Sequence, residues 1–234
     1  MKELKQCTAE ALGTFFLCFA GIGAILCNDK EIGSGAGIVG IALAHGLALS
    51  VAINVFGGLS GAHFNPAVTI GMLSTGRISG KLAGGYIISQ LLGATLAAFL
   101  CLLIFPSKVV EAQALGTPLP GPLFQDRVAA ILLTEFVLTF LLITAIFGTA
   151  VDERGKGVKI GAFGIGLTVT FDILAGGAVT GASMNPARSF GPALLAGKLG
   201  GVHWCYWVAP IAGAVFGALV YHHFFLPEDR PAKK

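Results

Sequence analysis

Six long apolar stretches, separated by short polar, glycine-rich or proline-rich segments, dominate the pattern of this 234-residue chain. A helix needs roughly 20 apolar residues to cross the hydrocarbon core of a bilayer. The pattern therefore predicts six membrane-spanning helices, at about residues 8–27, 37–56, 82–104, 127–150, 160–175 and 204–226.

The composition agrees with a membrane protein. Hydrophobic residues make up 55% of the chain and charged residues 12%, whereas about a quarter of a soluble domain is charged. Six spans leave only short loops, so we expect one transmembrane domain over residues 1–234. The N-terminal apolar run is long and lacks a small-residue cleavage site, which favours a retained helix over a signal peptide.

Basic residues are distributed unevenly between the two sides of the predicted spans. If loops alternate, one side holds Lys2, Lys5, Arg77, Lys81, Arg154, Lys156, Lys159, Arg230, Lys233 and Lys234. The other side holds Lys30, Lys108, Arg127, Arg188 and Lys198. The positive-inside rule then places both termini in the cytoplasm. The net charge of +3 is too small and too dispersed to indicate a nucleic-acid partner.

The chain contains an internal repeat, over about residues 8–104 and 127–226. Residues 9–16 resemble 134–141, and residues 60–67 resemble 180–187. Each half holds three spans, and this odd number makes the second half enter the membrane from the opposite side. The repeat is therefore inverted, as in many transport proteins.

Each half carries an Asn-Pro-Ala triplet followed by about ten moderately apolar residues, too few to cross a bilayer. The triplets comprise Asn65, Pro66 and Ala67, and Asn185, Pro186 and Ala187. Asparagine is a favoured N-cap and proline a favoured first helical residue. The sequence thus predicts two re-entrant half-helices, at residues 66–74 and 186–195.

Inversion makes the N-termini of the two half-helices face each other near the middle of the membrane. With the side-chain oxygens engaged in capping, the amide NH₂ groups of Asn65 and Asn185 are free to donate into a pore. Water held there points its hydrogens outward in both directions, which interrupts a proton wire, and the dipoles repel cations. The pattern indicates a channel that excludes protons and ions.

These triplets and halves resemble the aquaporin and glycerol-facilitator family over essentially the whole chain. The resemblance implies an all-α membrane protein of six helices plus two half-helices, a homotetramer with one pore per subunit, and passage of water or small neutral solutes. It implies no enzyme activity, cofactor or metal. The five cysteines, which have no metal-like spacing, agree with that expectation.

The resemblance also implies a selectivity filter formed by His45, Ile173, Ala182 and Arg188. This set is similar to that of plant tonoplast intrinsic proteins. Isoleucine and a methyl group widen a constriction and remove a hydrogen-bonding partner. We therefore expect ammonia, hydrogen peroxide and, as the largest solute, urea to pass along with water.

Other intramembrane polar residues receive structural roles. By the resemblance, Glu10 and Glu135 bind the backbone of the loops that carry the half-helices, and His63 braces its loop. No equivalent carboxylate can be assigned to Asp172, and an interhelical hydrogen bond is its expected use. A prokaryotic plasma membrane is the expected location.

Two alternatives stay open. A proton-coupled transporter could use the intramembrane carboxylates, since inverted repeats and broken helices also occur in that class. A glycerol facilitator is the other, although Ser189 stands where those proteins carry aspartate.

Overall fold

The computed structural model describes residues 1–33, 35–156 and 160–227. Lys159, Arg230, Lys233 and Lys234, which entered the orientation argument, lie outside these residues. Ten α-helices are found in the described part of the chain. They are α1 Lys2–Leu26, α2 Gly37–Ser60, α3 Pro66–Ser74, α4 Gly80–Ile104, α5 Ser107–Ala112, α6 Val128–Ile146, α7 Glu153–Lys156, α8 Gly161–Thr180, α9 Pro186–Leu195 and α10 Cys205–Val220.

Six helices among the described residues are long and apolar enough to span a membrane, as the sequence predicts. The second and fifth extend further than expected, to Ser60 and Thr180 rather than to about residues 56 and 175. Both end at a glycine with positive φ, Gly61 at 84° and Gly181 at 79°. This left-handed C-cap is accessible to glycine without strain, so the glycine ends the helix.

The half-helices α3 and α9 have the bounds that the sequence predicts. The Asn65 side chain accepts a hydrogen bond from the Ala67 backbone N–H at 2.9 Å. The Asn185 side chain accepts from the Ala187 N–H at 3.0 Å. Each helix then has proline at its first position, where a missing N–H costs nothing.

The helices pack as two matching halves, α1 against α4 and α6 against α10, and α2 crosses against α8 between the halves. Close approach depends on glycine. A methyl group on Gly46 would lie 2.5 Å from the Gly166 carbonyl oxygen, and one on Gly166 would lie 2.2 Å from that of Gly46. Small residues let the two backbones touch, as is common between membrane helices. The all-α inverted repeat predicted from the sequence is confirmed.

Candidate functional site

The loop between α2 and α3 is held by a buried carboxylate on α1. Glu10 is fully buried and accepts hydrogen bonds from the Ser60 hydroxyl at 2.6 Å and the Gln90 amide at 2.8 Å. It also accepts from the backbone N–H of His63 at 3.0 Å and of Phe64 at 2.6 Å. These bonds satisfy loop amides that would otherwise be orphaned in the membrane.

The loop between α8 and α9 has the same construction. Glu135, fully buried on α6, accepts from the Thr180 hydroxyl at 2.7 Å. It also accepts from the backbone N–H of Ser183 at 2.9 Å and of Met184 at 2.8 Å. Each glutamate therefore accepts hydrogen bonds from two backbone N–H groups of one loop.

Both loops contain non-glycine residues in the left-handed region. The φ angles are 53° at Ala62, 49° at Phe64, 44° at Ala182 and 53° at Met184. Such residues are uncommon, and each costs about 1–3 kcal/mol unless the surroundings hold it. The glutamate bonds to Phe64 and Met184 hold two of them, so each loop is fixed by its carboxylate.

The two triplets are hydrogen-bonded to each other's loops. The Asn65 amide donates to the Met184 carbonyl at 2.8 Å, and the Asn185 amide donates to the Phe64 carbonyl at 2.8 Å. The sequence predicts that both side-chain amides are free to donate into a pore. This prediction is wrong for one N–H of each amide, which is bound to the opposite loop. An NH₂ group has two donors, so one remains on each asparagine.

His63 contacts residues on two neighbouring helices. Its ring Nδ1 lies 3.1 Å from the Thr69 hydroxyl, on half-helix α3. The imidazole packs edge-on against Tyr86, with the ring centroids 5.2 Å apart. The side chain thereby joins the loop to both α3 and α4.

Arg188 and His45 meet on the opposite side of the triplets. The Arg188 guanidinium lies 3.4 Å from His45 Nε2 and donates to the Gly116 carbonyl at 3.1 Å. His45 Nδ1 lies 2.8 Å from the Ile41 carbonyl. Because a carbonyl can only accept, Nδ1 carries the proton and the neutral ring accepts from Arg188 at Nε2. Both ring nitrogens of His45 are therefore used within the protein.

An outer cavity of about 340 Å³ lies above this pair. Three of the four expected filter residues line it, namely His45, Ile173 and Arg188. Ala182 is buried next to Gly181, which does line the cavity. Arg188 Nε is buried without a hydrogen-bond partner, so one donor of the guanidinium is unused by the protein.

A second, narrow cavity of about 50 Å³ lies on the other side and is lined by both triplet asparagines. Its remaining wall is largely apolar and includes Leu49, Val68 and Ile165, with His63 as a polar exception. Among the side chains that line it, those of Asn65, Asn185 and His63 carry the hydrogen-bonding groups. No motif in the sequence marks this apolar lining.

Asp172 does not make the interhelical hydrogen bond expected from the sequence. It is fully buried on α8, and neither carboxylate oxygen has a hydrogen-bond partner. On the same helix face, one turn on, Gly176 packs against Leu138 of α6. Asp172 is thus buried within the helix packing without a hydrogen-bond donor for either oxygen.

Sequence reasoning missed the contribution of the connection between α5 and α6. Gly116, at φ 69°, supplies the carbonyl that holds Arg188. Thr117 lines the outer cavity, and its hydroxyl is buried without a partner. The hydrogen bond joins Gly116 and Arg188, which are 72 positions apart. No periodic pattern in the sequence predicts a contact of this kind.

Two half-helices that meet head to head inside six spans, with a cavity on each side, define an integral membrane channel. Within the described ranges, no three His, Cys, Asp or Glu side chains are grouped as metal ligands. The pattern of the Major intrinsic protein family matches residues 1–221.

The relatives agree with this assignment. Aquaporin TIP4-4 of Zea mays is 41% identical over 232 residues, covering 96% of this chain and 88% of that protein. Nodulin-26 of Glycine max is 41% identical over 219 residues, covering 94% of this chain and 77% of that protein. The crystal structure of the aquaglyceroporin from Plasmodium falciparum is similar at a TM-score of 0.82 and 28% identity, covering 95% of this chain and 96% of that chain. The chain belongs to the Major intrinsic protein family, whose aquaporin-type channels pass water or small solutes passively.

Proposed function

We propose that the protein is a homotetrameric plasma-membrane channel that passes water and small neutral solutes and excludes protons and ions. The observation that carries this proposal is the cross-pairing of Asn65 and Asn185 with the opposite loops, at 2.8 Å each. This pairing fixes the side-chain amide of each asparagine at the junction between the half-helices. Both chain termini face the cytoplasm in this proposal, following the distribution of basic residues.

The proton barrier follows from donor geometry. The remaining N–H of each asparagine can donate to the oxygen of one water molecule in the inner cavity, which both side chains line. That water must direct its hydrogens away along the pore, so a chain of waters cannot keep one polarity through this point. The positive ends of both half-helix dipoles add a barrier to cations.

Solute selection rests on His45, Ile173, Ala182 and Arg188 in this proposal. The only fixed charge of the four is Arg188, which repels cations and offers fixed donors. Ile173 and Ala182 contribute only apolar groups, and His45 uses both ring nitrogens within the protein. Because only Arg188 offers hydrogen-bond donors in this filter, we expect ammonia, hydrogen peroxide and urea to pass along with water.

The test is osmotic shrinkage of liposomes that contain the purified protein, followed by light scattering with and without a proton gradient. We expect shrinkage much faster than in empty liposomes and independent of the gradient. Val68→Trp provides the blocked control, because Val68 lines the narrow inner cavity. Leu73→Trp is the matched variant on the outside of the same half-helix, where Leu73 is 38% exposed, and should shrink as the wild type does. Shrinkage at the rate of empty liposomes would overturn the proposal.

The same liposomes distinguish the two alternatives. A proton-coupled transporter requires carboxylates that are free to take up a proton. Glu10 and Glu135 are engaged by loop amides, which leaves Asp172 as the carboxylate such a transporter would use. Gradient-dependent, saturable uptake would support that class. A glycerol facilitator would show glycerol flux comparable to that of urea. With Ser189 in place of the aspartate of glycerol facilitators, we expect glycerol to be much slower.

A further inference from the structure

A cavity of about 620 Å³ lies beside the C-terminal end of α10, outside the channel. It shares no lining residue with the two channel cavities. Its wall combines two arginines, two histidines and two carboxylates, namely Arg77, Arg154, His222, His223, Asp152 and Glu153. The channel function gives this cluster no role.

One arginine and one carboxylate of the cluster neutralise each other. Arg154 binds Asp152 through two nitrogens, Nε at 3.0 Å and Nη2 at 2.5 Å. The hydrogen bonds from Arg154 lower the pKa of Asp152 to about 2, so the carboxylate is ionised at neutral pH. The Tyr221 hydroxyl also donates to Asp152, at 3.2 Å, and Glu153 is itself engaged. The charge of Asp152 is therefore already compensated by Arg154.

The second arginine has no such partner. The Arg77 guanidinium lies over the Phe147 ring, 5.4 Å from its centroid, and the ion pairs found in the described part of the chain involve other basic residues. A guanidinium presents a fork of donors that matches a phosphate or carboxylate. Arg77 lines the cavity, and its guanidinium forms no ion pair with a carboxylate in the described part of the chain.

The imidazoles add further unused polar groups. His222 and His223 lie with ring centroids 4.9 Å apart, and His222 Nδ1 is buried without a hydrogen-bond partner. Beside them Phe224 is 77% and Phe225 55% exposed. These residues end the last candidate membrane span, Gly201–Phe225, so the cation and the unsatisfied imidazole lie at the end of that span.

We propose that this cavity binds a phosphate group through Arg77, His222 and His223. The phosphate of an anionic lipid headgroup and free phosphate share this chemistry. The anion accepts hydrogen bonds from the guanidinium fork of Arg77 and from an imidazole N–H of His222 or His223. Bound there, it joins the segment after α3 to the end of α10.

The test measures thermal unfolding of the detergent-purified protein with added dioleoyl-phosphatidylglycerol, dioleoyl-phosphatidylcholine or inorganic phosphate. We expect phosphatidylglycerol, inorganic phosphate or both to raise the unfolding temperature, and phosphatidylcholine to raise it much less. Arg77→Gln should weaken the apparent affinity about tenfold. The double variant His222→Gln and His223→Gln should weaken it as well.

Arg127→Gln is the matched control, because Arg127 also lies over a phenylalanine ring, that of Phe124 at 5.7 Å, but at a different site. It should bind as the wild type does. A response to phosphatidylglycerol alone identifies the lipid headgroup, and a response to both identifies the phosphate group itself. Equal responses to all three additives, or equal losses in Arg77→Gln and Arg127→Gln, would overturn the site. Unchanged water flux in Arg77→Gln liposomes verifies that the variant is folded.

Discussion

The two halves of the molecule share one framework but differ in charge next to their triplets. Tyr86 donates to the Ser60 carbonyl at 2.7 Å, and Tyr206, 120 residues later, donates to the Thr180 carbonyl at the same distance. After the triplets the halves diverge, to valine in the first and Arg188 in the second. The framework repeats because both loops must satisfy the same backbone groups. In the proposed filter, a charge on one side of the pore is sufficient.

The two carboxylate braces differ as well. Glu10 has four donors, whereas Glu135 has three. The fourth donor in the first half is Gln90, and its repeat equivalent is Pro210, which carries no side-chain donor. The first loop is thus the more strongly hydrogen-bonded of the two.

Replacing either glutamate, Glu10 or Glu135, should have the largest effect on stability. Glu10→Leu and Glu135→Leu each leave two backbone N–H groups without partners, at about 1–3 kcal/mol apiece, and release the strained loop. We expect a loss of more than about 3 kcal/mol in unfolding free energy, or failure to fold, with Glu10→Leu the worse. Thermal unfolding in detergent measures it.

Tyr86→Phe and Tyr206→Phe serve as the matched controls for the braces. Each leaves one loop carbonyl without its donor and should cost about 1 kcal/mol. Equal stability of wild type and both glutamate variants would contradict the role of the carboxylates.

The framework was largely predictable from the sequence, since half-helix bounds follow from cap residues and both glutamates lie at repeated positions. The cross-pairing of Asn65 with Met184 was not, because it depends on how the two halves meet. The position of Gly116 against Arg188 was not predictable either, since it joins an irregular connection to a half-helix. The isolation of Asp172 depends on which apolar side chains face it, which no motif records.

Arg188→Val should have the next largest effect, because it gives the second half the residue of the first. The variant removes the bond to the Gly116 carbonyl and the only charge of the filter. We expect urea and glycerol permeability to rise on the order of tenfold, measured by stopped-flow light scattering. Arg127→Gln, outside the pore, is the control. If neither solute moved faster through the valine variant, Arg188 would have no part in selection.

His45→Phe should have a smaller effect in the opposite direction. Phenylalanine keeps a ring but lacks the nitrogens that bind Ile41 and Arg188, so its ring is free to turn into the passage. Urea flux should fall several-fold while water flux falls less, because a narrower pore excludes larger solutes first. A constant ratio of urea to water flux in the variant would count against the filter position of His45.

Asp172→Asn should change least, and it sharpens the comparison because the equivalent residue of the first half is Ala52, 120 positions earlier. A carboxyl that is buried without hydrogen bonds is costly to ionise, and an amide of the same shape cannot ionise. We expect unfolding temperature unchanged or raised, and water flux unchanged, in Asp172→Asn and in Asp172→Ala, which restores the symmetry. A proton-coupled carrier that used this carboxylate would lose transport in both variants. Loss of flux with an unchanged unfolding temperature would therefore show that Asp172 takes part in transport. The two halves would then differ in function at this position.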